Sequence, residues 1–327
     1  SGKKLPDGQP IPLGKTPRRQ HFLSVFVFNL AALSVYFMLS NLIGEKLAFL
    51  STLLFIVHPL GTQAIAWCSA IGYPLSLLWI TLSINLVIYF YQIPVHTTVH
   101  WLIFIPSFII LQFLGINALF IGIMQWAIFF FLGFYVFGIV SLLISLAMGF
   151  DIIRSTVKMR KDEFKKQSMG YSTYIRPRKI IVVLNSLLYY LKLTFFPRNM
   201  GLYHTKMYHY GENDERASWE TLLGVIALVF LAYIFFTTPV YPIKLGILWF
   251  LSFICIFLNL VTIQQAFTER YAYIPSLGVC IVVSYFTQSY LLIYVFIFAI
   301  AFDQFPAAAF AVKFAHILNF SRRHPDN

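Results

Sequence analysis

Long apolar runs separated by short polar stretches dominate this chain of 327 residues. The runs lack the strict alternation of a membrane barrel, and only helices or closed barrels satisfy backbone polar groups inside lipid. A helix needs about 20 mainly apolar residues to cross the hydrocarbon core of a bilayer. The pattern therefore predicts an all-α, polytopic integral membrane protein with about ten transmembrane helices.

The predicted spans are the runs 22–43, 46–58, 74–92, 101–116, 117–132, 133–150, 219–237, 244–263, 274–287 and 289–311. A further run, 180–197, is compatible either with a span or with a helix lying along the membrane. The run 46–58 and the stretch 101–150 are also compatible with short spans, half-helices or a re-entrant pair.

This pattern divides the chain into five regions. They are a polar basic N-terminal segment (1–20), N-terminal transmembrane helices (21–150), a basic and aromatic loop region (151–218) with a juxtamembrane helix near 180–197, C-terminal transmembrane helices (219–312) and a polar tail (313–327). The first segment has neither an initiator Met nor the apolar core of a signal peptide, which is compatible with a preceding segment.

Composition and charge agree with a membrane protein. Apolar residues make up 59% of the chain and charged residues 11%. Of the 24 Lys and Arg residues, five lie in 1–20 and nine in 151–179. Such loops contact anionic headgroups, so membrane lipids are the expected partners, and the positive-inside rule places both loops in the cytoplasm. No soluble platform exists for nucleic acid, which we exclude as a partner.

The sequence contains no recognisable motif for metal binding or redox chemistry. Cys68, Cys255 and Cys280 match no known spacing and are interpreted as small buried apolar residues. His96 and His100 are four residues apart, but no third ligand is identifiable nearby. We therefore predict no metal and no identifiable cofactor.

The stretch FTERYAYIPSLG, residues 267–278, places Glu269 and Arg270 between two apolar runs. An ionisable residue at membrane depth costs about 2.5–3.5 kcal/mol, so it faces a cavity, a partner or a headgroup. One interpretation is an interfacial turn from which Arg270 reaches lipid phosphate. The other is a site that binds a ligand.

A second polar feature ends the run 46–58 in the sequence LLFIVHPLGTQAIAW. Pro59 predicts the end of the helix, and His58 before it is more often a structural residue than a ligand. The polar segment 198–219 carries four aromatic residues together with Arg198, Lys206 and Arg216. It is compatible with an entrance for a sugar or lipid phosphate, or with an interfacial aromatic belt.

Taken together, these elements resemble the GT-C class of polytopic membrane glycosyltransferases, in particular the transmembrane and tetratricopeptide-repeat O-mannosyltransferases and their bacterial relatives. LLFIVHPLGTQAIAW is similar to that group's His-Pro element and keeps His58, Pro59, Thr62, Ala64, Ala66 and Trp67. FTERYAYIPSLG is similar to its Glu-Arg-Tyr element and keeps Glu269, Arg270, Tyr271, Tyr273, Pro275, Ser276 and Gly278. LLYYLKLTFFP resembles its Tyr-Leu to Phe-Pro helix.

The resemblance implies a transferase that moves a sugar from a polyprenyl-phosphate carrier to an acceptor on the exoplasmic or lumenal side. Arg270 would hold the lipid phosphate and stabilise the leaving group, and Glu269 would orient Arg270 or the sugar. Tyr271, Tyr273 and His58 would complete the donor site.

This chain also departs from the group. The acidic loop that follows the first span in the group has no counterpart beyond Asp7, Gln63 stands where the group has Glu, and no helical repeat of about 34 residues follows. The catalytic residue is therefore left unassigned. The alternative function is a catalytically inactive GT-C-like subunit that serves as a scaffold or lipid-binding component of a larger complex with other membrane proteins.

The orientation of 180–197 separates two topologies. If this helix lies along the membrane, His58, Asn117 and Arg270 share the exoplasmic face. If it crosses the membrane, His58 and Arg270 lie on opposite faces and share no site. The motifs favour the first arrangement, because long loops can translocate regardless of their charge.

Overall fold

The computed structural model describes residues 17–66, 70–94, 97–166, 179–197, 219–258 and 268–288, and these residues contain helices and no strand. The chain divides into two compact units, Ser1–Val283 and Ser284–Asn327. The described part of the second unit is limited to residues 284–288, the end of the last described helix. The predicted span 289–311 and the tail 313–327 lie outside the described residues.

Eleven α-helices follow one another in the described part of the chain. They are α1 (Pro17–Ile43), α2 (Glu45–Val57), α3 (Leu60–Ala66), α4 (Gly72–Gln92), α5 (Thr98–Ala118), α6 (Gln125–Phe131), α7 (Tyr135–Lys166), α8 (Lys179–Phe195), α9 (Trp219–Thr237), α10 (Tyr241–Ile254) and α11 (Tyr273–Thr287). Short 3₁₀ helices at Phe120–Met124, Cys255–Phe257 and Glu269–Ala272 extend or precede them.

Four of the described helices are long and apolar enough to cross a membrane. They are α4, α5, α9 and the part of α1 from Arg19 to Ile43. Most large side chains of α9 are exposed, including Phe230 and Phe236 at 58% and 78%, as expected for a helix facing lipid. The prediction of about ten spans is not confirmed. The helix α2, for example, has 13 residues and is about 20 Å long, against a hydrocarbon core of about 30 Å.

The apolar stretch 101–150 contains most of the long helix α5, a short 3₁₀ helix followed by the short helix α6, and the first half of α7. After α5, a 3₁₀ turn leads into α6, which ends after seven residues. Gly133, with φ +82°, ends α6 in a left-handed conformation. Its N–H donates to the Phe130 carbonyl at 3.1 Å, and the Phe134 N–H donates to the Phe129 carbonyl at 2.9 Å. This is a Schellman motif, which caps the helix and reverses the chain into α7.

The boundary of the basic region differs from the prediction. The basic composition predicts a loop from residue 151, whereas α7 continues to Lys166. No Gly or Pro lies between residues 150 and 169, so nothing in the sequence breaks the helix where the composition turns basic. Basic composition indicated the edge of the apolar segment and not the end of the helix.

Polar side chains join the long helices inside the bundle. Thr81 of α4 donates to the Ser34 hydroxyl of α1 at 2.7 Å, and the Asn85 amide donates to the Ser34 carbonyl at 3.0 Å. These bonds link α1 and α4 near their middles. In a membrane such interhelical bonds contribute about 0.6 kcal/mol each on average.

A second buried polar group joins α4, α5, α6 and α7. The Gln125 amide and the Ser141 hydroxyl both donate to Gln112 Oε1, the latter at 2.9 Å. Ser83 donates to Gln125 Oε1 at 3.3 Å. All four side chains are fully buried. The short helix α6 is therefore held to its neighbours by hydrogen bonds in addition to apolar contacts.

Backbones come very close between α10 and α11. A Cβ atom at Gly246 would lie 2.5 Å from the Gly278 carbonyl oxygen, and one at Gly278 would collide with the Gly246 carbonyl oxygen. The Trp249 indole N–H donates to the Ile274 carbonyl at 2.9 Å beside this contact. Only glycine allows this approach, which fixes the start of α11 and therefore the turn that precedes it.

We expect Gly246→Ala to lower the free energy of unfolding by about 1–3 kcal/mol, because the added methyl group has to separate two backbones. Thermal unfolding in detergent measures the change. The matched control is Gly61→Ala, whose Cβ would meet Phe28 at an ordinary 3.8 Å and which we expect to stay within about 0.5 kcal/mol. Equal stability of both variants would contradict the close contact.

Candidate functional site

The turn Glu269–Ala272 is a single 3₁₀ helix held at both ends. Thr268 is extended before it, with φ −148° and ψ 141°, and the Tyr271 N–H donates to the Thr268 carbonyl at 3.2 Å. The helix α11 begins directly after the turn at Tyr273. Pro275 falls in the first turn of α11, where its missing N–H leaves no intrahelical bond unmade.

The side chains of this turn differ in how much of their surface is buried. Glu269, Tyr271 and Tyr273 are 1%, 4% and 0% exposed, whereas Arg270 is half-buried. A guanidinium in this position can meet a ligand while its stem packs against protein. The side chain of Glu269, the preceding residue, lies inside the protein.

Arg270 contacts a residue from another helix that the sequence did not indicate. Its side chain hydrogen-bonds the hydroxyl of Tyr73, in the first turn of α4. The Tyr73 ring is buried, with its centroid 6.4 Å from that of Tyr271. Tyr271 in turn stacks on Phe257 with centroids 4.2 Å apart and an interplanar angle of 7°. The cation is thus held by α4 as well as by its own turn.

The helix α8 supplies two further tyrosines. Tyr189 lies close enough to Glu269 for electrostatic interaction, and the Tyr190 hydroxyl lies near the backbone of Thr268. Tyr190 is fully buried, and its ring centroid lies 5.1 Å from that of Tyr189. A hydroxyl-bearing ring of α8 therefore lies in the surroundings of Glu269, and a hydroxyl is a group able to hydrogen-bond a carboxylate.

His58 links the end of α2 to the end of α8. Its Nδ1 accepts the Leu60 N–H at 3.3 Å, and its Nε2–H donates to the Thr194 carbonyl at 2.9 Å. Both nitrogens can serve these partners only in the neutral ring. Burial lowers the pKa of His58 to about 4, which agrees with a neutral imidazole that ties two chain segments together. Its predicted role in donor binding stays a prediction.

Tyr273 packs in the apolar core behind the turn. Its ring centroid lies 5.2 Å from that of Phe55 and 6.3 Å from that of Phe28. Its hydroxyl has no hydrogen-bond partner among the described residues. The structure thus places Glu269, Arg270 and Tyr271 in one cluster, with Tyr273 on the inner side of the same turn.

The contacts of α8 bear on its orientation. Asn185 accepts a hydrogen bond from Thr221 at the start of α9 at 2.9 Å, Tyr190 meets Thr268, and Thr194 meets His58. Over these residues α8 stays beside the ends of other elements, as expected of a helix lying across one end of the bundle. We call this end, which contains His58 and Glu269–Ala272, the site end.

The end of α5 also belongs to the site end. A Cβ atom at Gly72 would lie 2.5 Å from the Ala118 carbonyl oxygen, so the start of α4 touches the last residue of α5. Asn117 precedes this contact, as expected if it shares an end with His58 and Arg270. The exoplasmic or lumenal location of this end stays a prediction.

Several predicted site features lie outside the described residues, including Trp67 and the segment 198–218 with its three cations. Among the described residues, no group of three or more His, Cys, Asp or Glu side chains could hold a metal ion. Tyr73, Tyr189 and Tyr190 are the additional residues that the structure brings to the site. The pair Tyr189–Tyr190 lies in the quoted stretch LLYYLKLTFFP, whereas no sequence signal distinguished Tyr73.

The described residues define a helical protein with four helices able to cross a membrane and a tyrosine-lined Glu-Arg turn at one end of the bundle. Comparisons with models of protein families, with curated proteins and with solved structures find no match for the chain.

We expect acid to destabilise the protein through His58. The folded-state pKa of about 4 lies below the ordinary 6.5, so the unfolded chain binds more protons between these values. Stability is therefore fully present above about pH 6.5 and is lost toward pH 4, by at most about 1.4 kcal/mol per pH unit. The measurement is thermal unfolding in detergent from pH 7.5 to pH 4.5.

The variant His58→Gln should be less stable at pH 7.5 but should have a shallower dependence on pH in this range. A His58→Gln variant with the original slope would show that another group is responsible.

Proposed function

We propose that the protein is a GT-C-like membrane glycosyltransferase that binds a polyprenyl-phosphate-linked sugar at Arg270 and transfers the sugar to an exoplasmic or lumenal acceptor. The observation that carries the proposal is the half-buried Arg270, directly after the buried Glu269 in the chain, at an end of a bundle with helices long and apolar enough to cross a membrane. Guanidinium groups bind phosphate oxygens with two parallel N–H bonds, which suits a lipid phosphate at a membrane surface.

The chemistry assigns separate tasks to the two charged residues. During transfer, the bond between the sugar C1 and the carrier phosphate oxygen breaks, and a bond forms between C1 and the acceptor oxygen. Arg270 would stabilise the negative charge that develops on the departing phosphate. Glu269, buried and next to the Tyr189 hydroxyl, would keep the turn and its cation in place.

The acceptor hydroxyl has to lose a proton to a base. With only 1% of its surface exposed, Glu269 is poorly placed to reach an acceptor. In an active enzyme the base would therefore come from another residue. This burial is also the observation that favours the second candidate, a catalytically inactive subunit that binds a polyprenyl phosphate or supports other membrane proteins.

Removal of the cation tests the binding site. We expect the protein, extracted gently from its own membrane, to carry a polyprenyl phosphate in native mass spectrometry. We expect Arg270→Ala to lose this adduct, because a charge-assisted bond to phosphate contributes about 1.5–3 kcal/mol. The matched control is Lys244→Ala in α10, another half-buried cation. Retention of the adduct in Arg270→Ala, or its loss in both variants, would contradict the proposal.

A transfer assay separates the enzyme from the inactive subunit. The protein is incubated with a polyprenyl-phosphate-linked radiolabelled sugar and hydroxyl-bearing peptides, and labelled peptide is measured. The transferase is expected to label peptide, and Arg270→Ala to reduce the labelling at least about tenfold, as for other groups that stabilise charge in a transition state. Binding without any labelling, by the complete protein in its own membranes, would favour the inactive subunit.

A further inference from the structure

The first turn of α4 is fixed by its contacts with α5. Gly72 touches the Ala118 carbonyl so closely that a Cβ atom would lie 2.5 Å from the oxygen. Ser76, one turn further along α4, donates to the Gly115 carbonyl at 3.0 Å. Tyr73 lies between these two contacts and is 7% exposed. Its backbone is therefore held in place independently of the Glu269–Ala272 turn.

The ring of Tyr73 ends a row of aromatic side chains. It lies beside Tyr271, which stacks on Phe257, and the Phe257 centroid lies 5.6 Å from that of Phe120. Aromatic contacts of this kind contribute about 0.5–1.5 kcal/mol each beyond their area of burial. The row leaves the Tyr73 ring little freedom to turn, and its hydroxyl meets the Arg270 side chain.

A hydrogen bond to a fixed acceptor has a geometric consequence for arginine. The guanidinium is planar and presents its five N–H donors in a rigid fork, so a bond at one side of the fork limits the plane of the whole group. Bidentate binding of a phosphate depends on that plane. A tyrosine that never touches the phosphate can therefore determine how well it is bound.

We propose that Tyr73 is a positioning residue for phosphate binding: its hydroxyl accepts a hydrogen bond from Arg270 and sets the plane of the guanidinium toward the lipid phosphate. The inference rests on the proposed function, in which Arg270 binds that phosphate. It adds a residue of α4 to the site and explains why α4 and α5 meet so closely beside it.

Affinity for a polyprenyl monophosphate, measured with the protein in lipid nanodiscs, tests the role of Tyr73. Tyr73→Phe retains the ring and removes the hydroxyl alone. We expect it to bind the lipid about three- to tenfold more weakly, the effect of losing one hydrogen bond that orders a ligand-binding group. The control is Tyr89→Phe, which removes the hydroxyl of an exposed tyrosine on the same helix and should leave the affinity unchanged.

A double-mutant cycle separates positioning from a general structural effect. If Tyr73 acts through Arg270, Tyr73→Phe should weaken binding no further once Arg270→Ala is present. Additive losses in the double variant would overturn the positioning role. The melting temperature of Tyr73→Phe should also stay close to that of the unmodified protein, whereas a large drop would assign the loss of binding to misfolding.

The outcomes distinguish this inference from the proposal on which it rests. If Arg270→Ala abolishes binding and Tyr73→Phe binds as well as the unmodified protein, Tyr73 has no positioning role and the phosphate site at Arg270 stands. If the unmodified protein does not bind the lipid, or Arg270→Ala binds it equally well, the proposed function fails and the role of Tyr73 fails with it.

Discussion

Polar side chains inside a helical bundle that crosses a membrane have to be satisfied by other protein groups, because lipid chains offer no hydrogen bonds. This constraint accounts for the hydrogen-bonded pairs that join helices in the described bundle. Ser34 and Thr81 pair across α1 and α4, and Gln112 and Gln125 pair across α5 and α6. Each such pair fixes the register of two helices, since sliding one helix past the other would leave a buried polar group without a partner.

The same constraint explains the construction of the site end. Glu269 is almost completely buried, Tyr189 of α8 interacts with it electrostatically, and Tyr190 of α8 lies near the backbone of Thr268. The charged turn therefore depends on α4 and α8 for its conformation. His58 contributes indirectly, because it ties the end of α2 to α8 through the Thr194 carbonyl. A neutral imidazole suits this task, since it donates and accepts one hydrogen bond each.

Glycine contacts give this end its rigidity. Gly72 lets α4 touch α5, and Gly246 and Gly278 bring α10 and α11 together directly beyond the turn. Close backbone packing of this kind is a main source of helix association in membranes, where the hydrophobic effect between helices is absent. The Arg270 side chain thus projects from a framework of packed backbones, which is what a site for an oriented phosphate requires.

Helices and some helix ends could be predicted from the sequence, whereas the number of membrane spans could not. The apolar runs predicted helices, and Pro59 predicted the end of α2 correctly, because both depend on local chemistry. The number of membrane spans was harder to predict from the sequence. Hydropathy does not distinguish a long helix from the broken segment around α6, whose end depends on a left-handed Gly133. The basic residues after 150 indicated a loop, yet α7 continues, because charge does not end a helix.

The helical class, the apolar character of the long helices and the unusual position of Glu269 and Arg270 between two apolar runs follow from composition and local order, and could be read from the residues alone. The residues that complete the site could be identified only in the packed helices. Tyr73 lies nearly 200 residues before Arg270 in the sequence and carries no signal beside Gly72. It reaches the guanidinium because α4 packs against α5 and the Glu269–Ala272 turn, and such contacts between distant segments arise only when the helices assemble.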